Sequence, residues 1–278
     1  MTSSSNENTQ WTQDPTNPNR SFKYIQEYTP PGVTQRIGAG SSYHVGLLED
    51  GNVLKYPLEK GEGMKGLAVE HAIYEALGSH ERIVRCLGLT ENGLRLQFVS
   101  RGSVTQYLSK SPSITLRLRW CRQAAEALAF VHSKGVIHCD LHTNNLLLDD
   151  QLNALLSDFQ GTFEDLDGYA MESTRYFLPR EATSTPNQTT DIFALGTLIY
   201  TIMLGVGPYP DLLDTEVEEC YKKQDFPNTN SLVCGKIIMR CWSGDYVGAG
   251  EVLQDIRALE GQQRFILTGG EDKPSVAF

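Results

Sequence analysis

The sequence lacks the features that mark secreted, membrane-spanning and nucleic-acid-binding proteins. Its first residues, MTSSSNENTQ, contain neither the basic end nor the apolar run of a signal peptide. Positive charge is scarce, because 24 Lys and Arg residues face 34 Asp and Glu residues, and a net charge of −10 disfavours contact with phosphate backbones. The six cysteines are scattered without a CxxC pair, which is typical of reduced thiols. We therefore expect a cytoplasmic or nuclear protein that binds neither nucleic acid nor a membrane.

A long apolar run is missing as well. The longest stretch without charge, residues 192–210, contains Thr, Gly and Pro. It is not a convincing membrane span, for which about 20 mostly apolar residues are needed. Its first part, residues 192–204, is apolar on nearly all sides, which predicts a helix buried in a core.

Between two polar tails, the hydrophobic pattern of the sequence changes once, from strand-like to helical. Residues 1–20 and 268–278 contain too few large apolar residues to offset their ordering entropy, so we predict disordered tails. Residues 100–267 are dominated by helical periodicity. Residues 21–99 favour one helix at 67–77 and short strands at 41–48, 51–56, 87–90 and 94–99. The pattern predicts an α+β protein with a small strand-rich lobe followed by a larger helical lobe.

Three residues carry the strongest chemical pattern in the chain. Asp140 lies in the segment HCDLHTNN, Asn145 follows it by five residues, and Asp158 begins the segment DFQG thirteen residues later. Phosphoryl transfer needs a carboxylate that accepts a proton from the attacking hydroxyl, and two oxygen ligands for the Mg²⁺ ion that bridges the phosphates. Asp140 can supply the first, and Asn145 and Asp158 can supply the second.

These segments resemble the catalytic motifs of eukaryotic protein kinases, with HCDLHTNN in place of HRDLKxxN and DFQ in place of DFG. The resemblance runs from about residue 36 to residue 257, and the motifs are most similar to those of compact protein-kinase-like proteins of fungi. It implies a bilobal kinase fold, ATP as phosphoryl donor, Mg²⁺ as cofactor and a protein as acceptor. It also implies that Asp140 orients the acceptor hydroxyl and that Asn145 and Asp158 hold Mg²⁺. We expect the protein to be a monomer.

The N-terminal half resembles the phosphate-binding elements of the same family. Gly38, Gly40 and Val45 match the Gly-rich loop GxGxxGxV, but Tyr43 stands where the third glycine belongs. Lys55 falls at the place of the strand lysine that holds the α- and β-phosphates of ATP.

A partner for that lysine follows in the predicted helix. Glu70, fifteen residues after Lys55, resembles the helix glutamate that forms an ion pair with the lysine, and Glu75 is a less favoured rival. The alternative is that Lys55 and Glu70 are ordinary solvated surface charges. The ordered series of kinase-like segments favours the functional interpretation.

Residues 96–99 resemble the hinge that binds adenine. The resemblance implies that backbone groups of Gln97 and Val99 bond the edge of the base, and that Val45 and Val53 cover its face. An ordinary apolar strand fits the same segment. Asp191, in DIFALG, resembles the helix aspartate that braces the catalytic loop, although a helix N-cap is an almost equally good local interpretation and the two roles can coexist.

Two departures from the family pattern lie in the catalytic motifs. His142 replaces a lysine that contacts the transferring phosphate, and a neutral imidazole lacks the permanent charge of that lysine. Gln160 replaces the glycine of DFG, which hinders a flip of the motif unless Gly161 shares the bending.

Two further departures concern the activation segment. Cys139 replaces the arginine that binds an activating phosphate, and a buried inert thiol is favoured there over a reactive one. Arg180 replaces a glutamate, and a reversed ion pair with Asp245 or Glu251 is one hypothesis. Because the phosphate receptor is missing, we predict activity that does not need phosphate on Thr162, Ser173 or Thr174.

Three functions stay open from the sequence. The first is an active protein kinase of the Ser/Thr class, which the joint presence of Lys55, Glu70, Asp140, Asn145 and Asp158 favours. The second is a pseudokinase that serves as a nucleotide-binding or scaffolding module. The third is a small-molecule kinase, because HxDLH motifs also occur in kinase-like families that act on small molecules.

Overall fold

The computed structural model describes residues 9–14, 17–25, 28–163, 172–181 and 183–267. They form two compact units. The first contains the described residues up to His71 together with Cys86–Phe98, and the second contains Ala72–Arg85 and the described residues from Val99 onward. The α+β class of a kinase fold is therefore confirmed, with a five-stranded antiparallel sheet in the first unit and mainly helices in the second.

One segment falls on the other side of the division from the one expected with a single boundary after residue 99. Ala72–Arg85 belongs to the second unit although it precedes the last two strands of the first. Backbone hydrogen bonds explain this placement. The Val84 N–H donates to the Leu156 carbonyl at 2.9 Å, and the Leu156 N–H donates to the Arg82 carbonyl at 2.8 Å. Such pairing joins the segment to a strand that is distant in the sequence.

The first unit consists of two sheets and the start of one helix. A hairpin pairs β1 (Thr9–Asp14) with β2 (Asn17–Ile25). The larger sheet has the order β3-β4-β5-β7-β6 and comprises β3 (Val33–Ala39), β4 (Tyr43–Leu48), β5 (Val53–Pro57), β6 (Cys86–Thr90) and β7 (Gly93–Leu96). The helix α1 (Met64–Leu77) follows β5, and the division between the units falls within it.

The hairpin lies partly within residues 1–20, the segment that the sequence analysis expects to be a disordered tail. The antiparallel ladder pairs Thr9 with Ile25 and continues to Asp14. The polar composition of this segment concealed a strand pairing whose second strand extends into the less polar residues 21–25. Residues 1–8 and 268–278 of the predicted tails lie outside the described residues.

The predicted strands 41–48, 51–56 and 87–90 correspond to observed strands within a few residues, and two features differ. The strand predicted to reach residue 99 ends at Leu96, and β3 was not predicted. β3 is exposed at most positions and contains three polar residues in succession, so its sequence gives little alternation to detect.

The described part of the second unit contains a short hairpin, six more α-helices and a 3-10 helix at Thr174–Tyr176. The hairpin pairs β8 (Leu146–Leu148) with β9 (Ala154–Leu156). The helices are α2 (Val104–Leu108), α3 (Ile114–Ser133), α4 (Gln188–Leu204), α5 (Asp214–Lys222), α6 (Gly235–Trp242) and α7 (Ala249–Leu267). No helix in the described ranges is long and apolar enough to cross a membrane.

Helix α4 lies at the centre of the second unit, as the sequence predicts for residues 192–204. All residues from Thr190 to Met203 are buried. The helix begins after Asn187, whose side chain accepts hydrogen bonds from the N–H groups of Thr189 and Thr190. An N-cap of this kind satisfies N–H groups that have no partner within the helix.

Candidate active site

The hairpin of β8 and β9 holds two of the predicted metal ligands. Asn145 directly precedes β8, and Asp158 follows β9 by two residues. The register pairs Leu146 with Leu156, so the two ends lie at the same edge of the hairpin. Ser157 strengthens this approach, since its N–H and its hydroxyl donate to the Asn145 carbonyl at 2.9 and 3.0 Å. The structure therefore brings Asn145 close to the segment of Asp158.

Asp140 and Asn145 are in direct contact. The Asn145 side-chain nitrogen donates to the Asp140 carbonyl oxygen at 2.9 Å and to the Asp140 carboxylate at 3.1 Å. Both bonds use the amide nitrogen, so the amide oxygen of Asn145 is the atom that can bind a cation. The same side chain thus fixes the carboxylate of Asp140 and offers an oxygen ligand.

A buried aromatic residue anchors the backbone beside Asp158. Phe159 packs between the rings of Tyr74 and His138, each with a centroid distance of 5.0 Å. Asp158 itself adopts a left-handed backbone conformation with φ of 67°, which is uncommon for a residue other than glycine. The packed Phe159 ring holds this conformation in place.

His138 connects the two catalytic segments. Its Nδ1 accepts the Asp140 N–H at 3.2 Å, and its Nε2 lies 3.1 Å from the Ser157 carbonyl, to which it donates. Burial lowers the pKa of His138, which favours this neutral form. The imidazole therefore fixes the backbone of Asp140 to the end of β9.

Asp191 braces the catalytic loop, as the resemblance implies. Its carboxylate accepts the N–H groups of His138 and Cys139 at 2.8 and 3.0 Å, and lies 2.9 Å from His132 Nε2. The alternative role as helix N-cap is wrong, because Asn187 caps α4. These bonds hold Cys139 at a φ of 62°.

The thiol of Cys139 has no reactive character in this environment. The residue is completely buried. Burial raises the pKa of the Cys139 thiol to about 12, so the nucleophilic thiolate is not populated at neutral pH. This agrees with the favoured interpretation of an inert cysteine.

His142 contacts the carboxylate of Asp140. Its Nδ1 accepts the Asn144 N–H at 3.2 Å, which leaves Nε2 to carry the proton of the neutral ring. Nε2 lies 3.3 Å from an oxygen of Asp140 and points a donor at it. The side chain is one fifth exposed, so it is accessible beside Asp140.

Gln160 has a role that the sequence did not reveal. Its side-chain nitrogen donates to the Asp158 carboxylate at 2.5 Å, so the glutamine orients the predicted metal ligand. Gly161 is constrained by space, because a Cβ there would collide with the carbonyl oxygens of Ile137 and His138. From the sequence motif alone we could infer that position 160 lacks the usual glycine. The motif does not indicate the direction of the Gln160 side chain.

Arg180 pairs within its own segment. It forms a bidentate ion pair with Glu172, and its guanidinium lies over the Phe177 ring at 4.5 Å. The hypothesis of a pair with Asp245 or Glu251 is therefore wrong. Burial raises the pKa of Glu172, and the neighbouring Arg180 guanidinium opposes that shift. The pair is local in sequence, eight residues apart, but only the structure reveals that Glu172 is buried.

In the first unit, Lys55 on β5 and Glu70 on α1 form the predicted ion pair. Lys55 Nζ lies 2.6 Å from Glu70 Oε2, and the two side chains are 7% and 0% exposed. Glu75, the rival partner, is exposed. The pair is therefore withdrawn from water and is not the solvated pair of surface charges that the alternative required.

The predicted nucleotide-contacting residues of the sheet share one face. Val45 on β4 lies directly opposite Lys55 on β5, and Val53 precedes Lys55 by two residues, so all three side chains project to the same side. Gly38 on β3 pairs with Val45. Gly40 lies in the turn that follows β3.

The remaining predicted contacts lie beyond the sheet. The N–H of Gly40 donates to the Tyr43 carbonyl at 2.8 Å and closes the turn. Gln97 and Val99 follow β7 in non-strand backbone, with Gln97 half-buried and Val99 buried. The ordinary-strand interpretation is wrong for these two residues, because the strand ends at Leu96.

The residues of the second unit fit a Mg²⁺ ion. Mg²⁺ prefers oxygen ligands and is usually held by one or two carboxylates together with substrate phosphates. The carboxylate of Asp158 and the amide oxygen of Asn145 offer such a set. Within the described ranges, no cluster of three or more His, Cys, Asp or Glu residues could hold a metal ion. Phosphate oxygens are therefore the natural complement to these two ligands.

Comparisons with known proteins agree with the geometry. A family model described as protein tyrosine and serine/threonine kinase matches residues 54–247. The chain is similar to the L-type lectin-domain containing receptor kinase I.1 of Arabidopsis thaliana, at 29% identity over 233 residues that cover 74% of this chain and 34% of the relative. It is 26% identical to the serine/threonine/tyrosine-protein kinase HT1 of the same plant over 161 residues, which cover 53% of this chain and 41% of the relative.

A third relative comes from rice. The G-type lectin S-receptor-like serine/threonine-protein kinase LECRK3 of Oryza sativa subsp. indica is 31% identical over 158 residues, which cover 51% of this chain and 20% of the relative. The chain thus spans less than half the length of each of these three curated relatives.

Proposed function

The chain belongs to the protein tyrosine and serine/threonine kinase family, and on that premise we propose that it is an ATP-dependent protein kinase of the Ser/Thr class. One observation carries the proposal: Asn145 bonds the carboxylate of Asp140, while His138 and Ser157 fix the backbone of Asp140 and Asn145 beside the segment of Asp158. A general base and two oxygen ligands in such an arrangement suit phosphoryl transfer.

Each residue has a defined part in the proposed reaction. Asp140 orients the acceptor hydroxyl and takes its proton, because Asn145 holds its carboxylate in a fixed orientation. Asn145 and Asp158 would hold Mg²⁺, which neutralises charge on the phosphates when bound. Lys55, positioned by Glu70, offers an ammonium group to the α- and β-phosphates.

His142 bears on whether the phosphoryl acceptor is a protein or a small molecule. Its one N–H is directed at Asp140, so His142 offers the transferring phosphate no fixed positive charge and would have to turn from Asp140 to donate a hydrogen bond to it. The names of several relatives include serine/threonine kinase, which supports a protein acceptor. A small-molecule acceptor is the alternative that His142 suggests, and a pseudokinase is the alternative if no transfer occurs.

The proposed function is tested by transfer of labelled phosphate. The full chain is incubated with γ-labelled ATP and a generic protein acceptor, with Mg²⁺ or with excess EDTA. We expect label on Ser and Thr of the acceptor with Mg²⁺ and none with EDTA, because phosphoryl transfer needs the bridging cation. Phosphoamino-acid analysis identifies the acceptor residue.

Parallel reactions separate the alternatives. Label on small hydroxyl compounds but never on protein would replace the proposal with a small-molecule kinase. Binding of Mg-ATP in a thermal-shift assay without any transfer would favour the pseudokinase.

We also propose that the kinase is active without phosphate on its activation segment. Arg180 is already paired with a carboxylate, Glu172, and Cys139 offers no positive charge to a phosphate. Phosphatase treatment and the substitutions Ser173→Ala and Thr174→Ala are therefore expected to leave the transfer rate unchanged, as measured by the same assay. A large loss of rate after dephosphorylation, restored by rephosphorylation, would contradict this.

The cysteines bear on the cellular compartment of the protein. All six cysteines are free, which suits a reducing compartment, and we propose the cytoplasm or nucleus. A monomer, the absence of nucleic-acid and membrane partners, and the likeness to fungal kinase-like proteins stay predictions.

A further inference from the structure

Tyr43 lies on the same face of the sheet as the lysine that we propose for phosphate binding. In the β4–β5 ladder Val45 faces Lys55, and Tyr43 precedes Val45 by two residues, so its side chain projects to the same side. Tyr43 is only 8% exposed, although it is the first residue of β4. Its centroid lies 5.2 Å from Lys55 Nζ, within the range of a cation–π contact.

The phenol rests in a slot made by glycines. The Tyr43 hydroxyl donates to the Gly63 carbonyl at 3.0 Å. A Cβ at Gly63 would lie 3.2 Å from the ring, and a Cβ at Gly66 would collide with the hydroxyl. Gly66 lies in the first turn of helix α1. The missing side chain at Gly66 is therefore what lets the phenol fit.

Together these contacts enclose the ammonium of Lys55. Glu70 pairs with it at 2.6 Å, the Tyr43 ring lies over it, and the lysine side chain is 7% exposed. A phosphate that binds this ammonium must approach it from outside this enclosure. The ring occupies part of the face from which the nucleotide-contacting residues project.

We propose that Tyr43 gates Lys55: while the phenol occupies the slot lined by Gly63 and Gly66, it limits the access of phosphate to the ammonium. Tyr43 is thus a positioning residue that acts through Lys55. The inference rests on the proposed function for the identity of the phosphate, which is that of ATP. Nucleotide binding requires the phenol to leave the slot, and its cation–π contact and hydrogen bond oppose that movement.

The first test measures the affinity for Mg-ATP by calorimetry in the full chain. Tyr43→Ala removes the gate, and we expect binding about tenfold tighter, since a cation–π contact and one hydrogen bond no longer oppose it. Gly66→Ala is expected to tighten binding as well, because the new Cβ expels the hydroxyl. Weaker binding in Tyr43→Ala would overturn the proposal, because it would make Tyr43 a contact of the nucleotide.

A double variant separates gating from a general effect on helix α1. In Tyr43→Phe the hydroxyl is absent, so the ring can remain in the slot beside an alanine at position 66. Adding Gly66→Ala to Tyr43→Phe is therefore expected to leave the affinity unchanged. An equal tightening by Gly66→Ala in both backgrounds would contradict the slot. Tyr28→Phe, which removes another hydroxyl of the first unit, is the matched control and is expected to have no effect.

A second readout does not depend on nucleotide. The amine-reactive anion trinitrobenzenesulfonate is used to label the chain, and peptide mass spectrometry gives the rate at each lysine. We expect Tyr43→Ala to label Lys55 about tenfold faster while the exposed Lys60 and Lys65 keep their rates. Unchanged Lys55 labelling would overturn the gate. Faster labelling without Mg-ATP binding in any variant would support the gate and contradict the proposed function.

Discussion

Asp158→Asn is expected to lower the kcat of phosphoryl transfer by about a thousandfold, because a bound metal ion contributes several kcal/mol to stabilising transition-state charge. The substitution removes the negative charge that favours Mg²⁺ at this position. It preserves the shape of the side chain and an oxygen that can accept the hydrogen bond from Gln160. Asparagine also tolerates the left-handed backbone conformation that Asp158 adopts. The loss is therefore expected in catalysis and not in folding.

The measurement compares initial rates with labelled ATP over a series of Mg²⁺ concentrations. A thermal melt of the same preparations establishes that the fold is intact. Asp150→Asn is the matched control, because Asp150 is exposed and its side chain contacts Ser100 and Arg101 away from the proposed site. Equal label from Asp158→Asn and the unsubstituted chain would remove the proposed mechanism, whatever the control shows.

The chemistry of this site could be predicted from the sequence, because it depends on the spacing of a few polar residues along the chain. Asp140, Asn145 and Asp158 lie on two short segments that flank a hairpin. The number of residues in the hairpin therefore determines how close in space the two segments lie. The buried helix at 192–204 was accessible for a similar reason, since an all-apolar helix has only one stable environment.

Contacts that depend on the direction of a side chain could not be predicted from the sequence. Nothing in the spacing says that Gln160 turns back to Asp158 or that Arg180 meets Glu172. The same holds for Tyr43, whose burial depends on two glycines some twenty residues away in the sequence. The N-terminal hairpin was not predicted, because disorder was inferred from composition and the composition of this segment is polar.

The second large effect concerns the stability of the first unit. Glu70→Ala is expected to lower the free energy of unfolding by about 3–5 kcal/mol, because it removes one member of a buried ion pair. Lys55→Met removes the other member in the same way. Removing both charges, with Lys55→Met and Glu70→Leu together, is expected to restore much of the loss, since burying two charges itself carries a desolvation cost.

Denaturant unfolding followed by fluorescence measures the unsubstituted chain, the two single variants and the double variant. Glu75→Ala is the control on the same helix, and as an exposed position it is expected to change stability by no more than about 0.5 kcal/mol. The double variant is stable yet lacks the phosphate-binding ammonium, so it is expected to remain inactive in the transfer assay. That combination separates the role of the pair in folding from its role in catalysis. A Glu70→Ala chain as stable as Glu75→Ala would show that the ion pair is hydrated in solution. The access of phosphate to Lys55 would then not be limited by its surroundings.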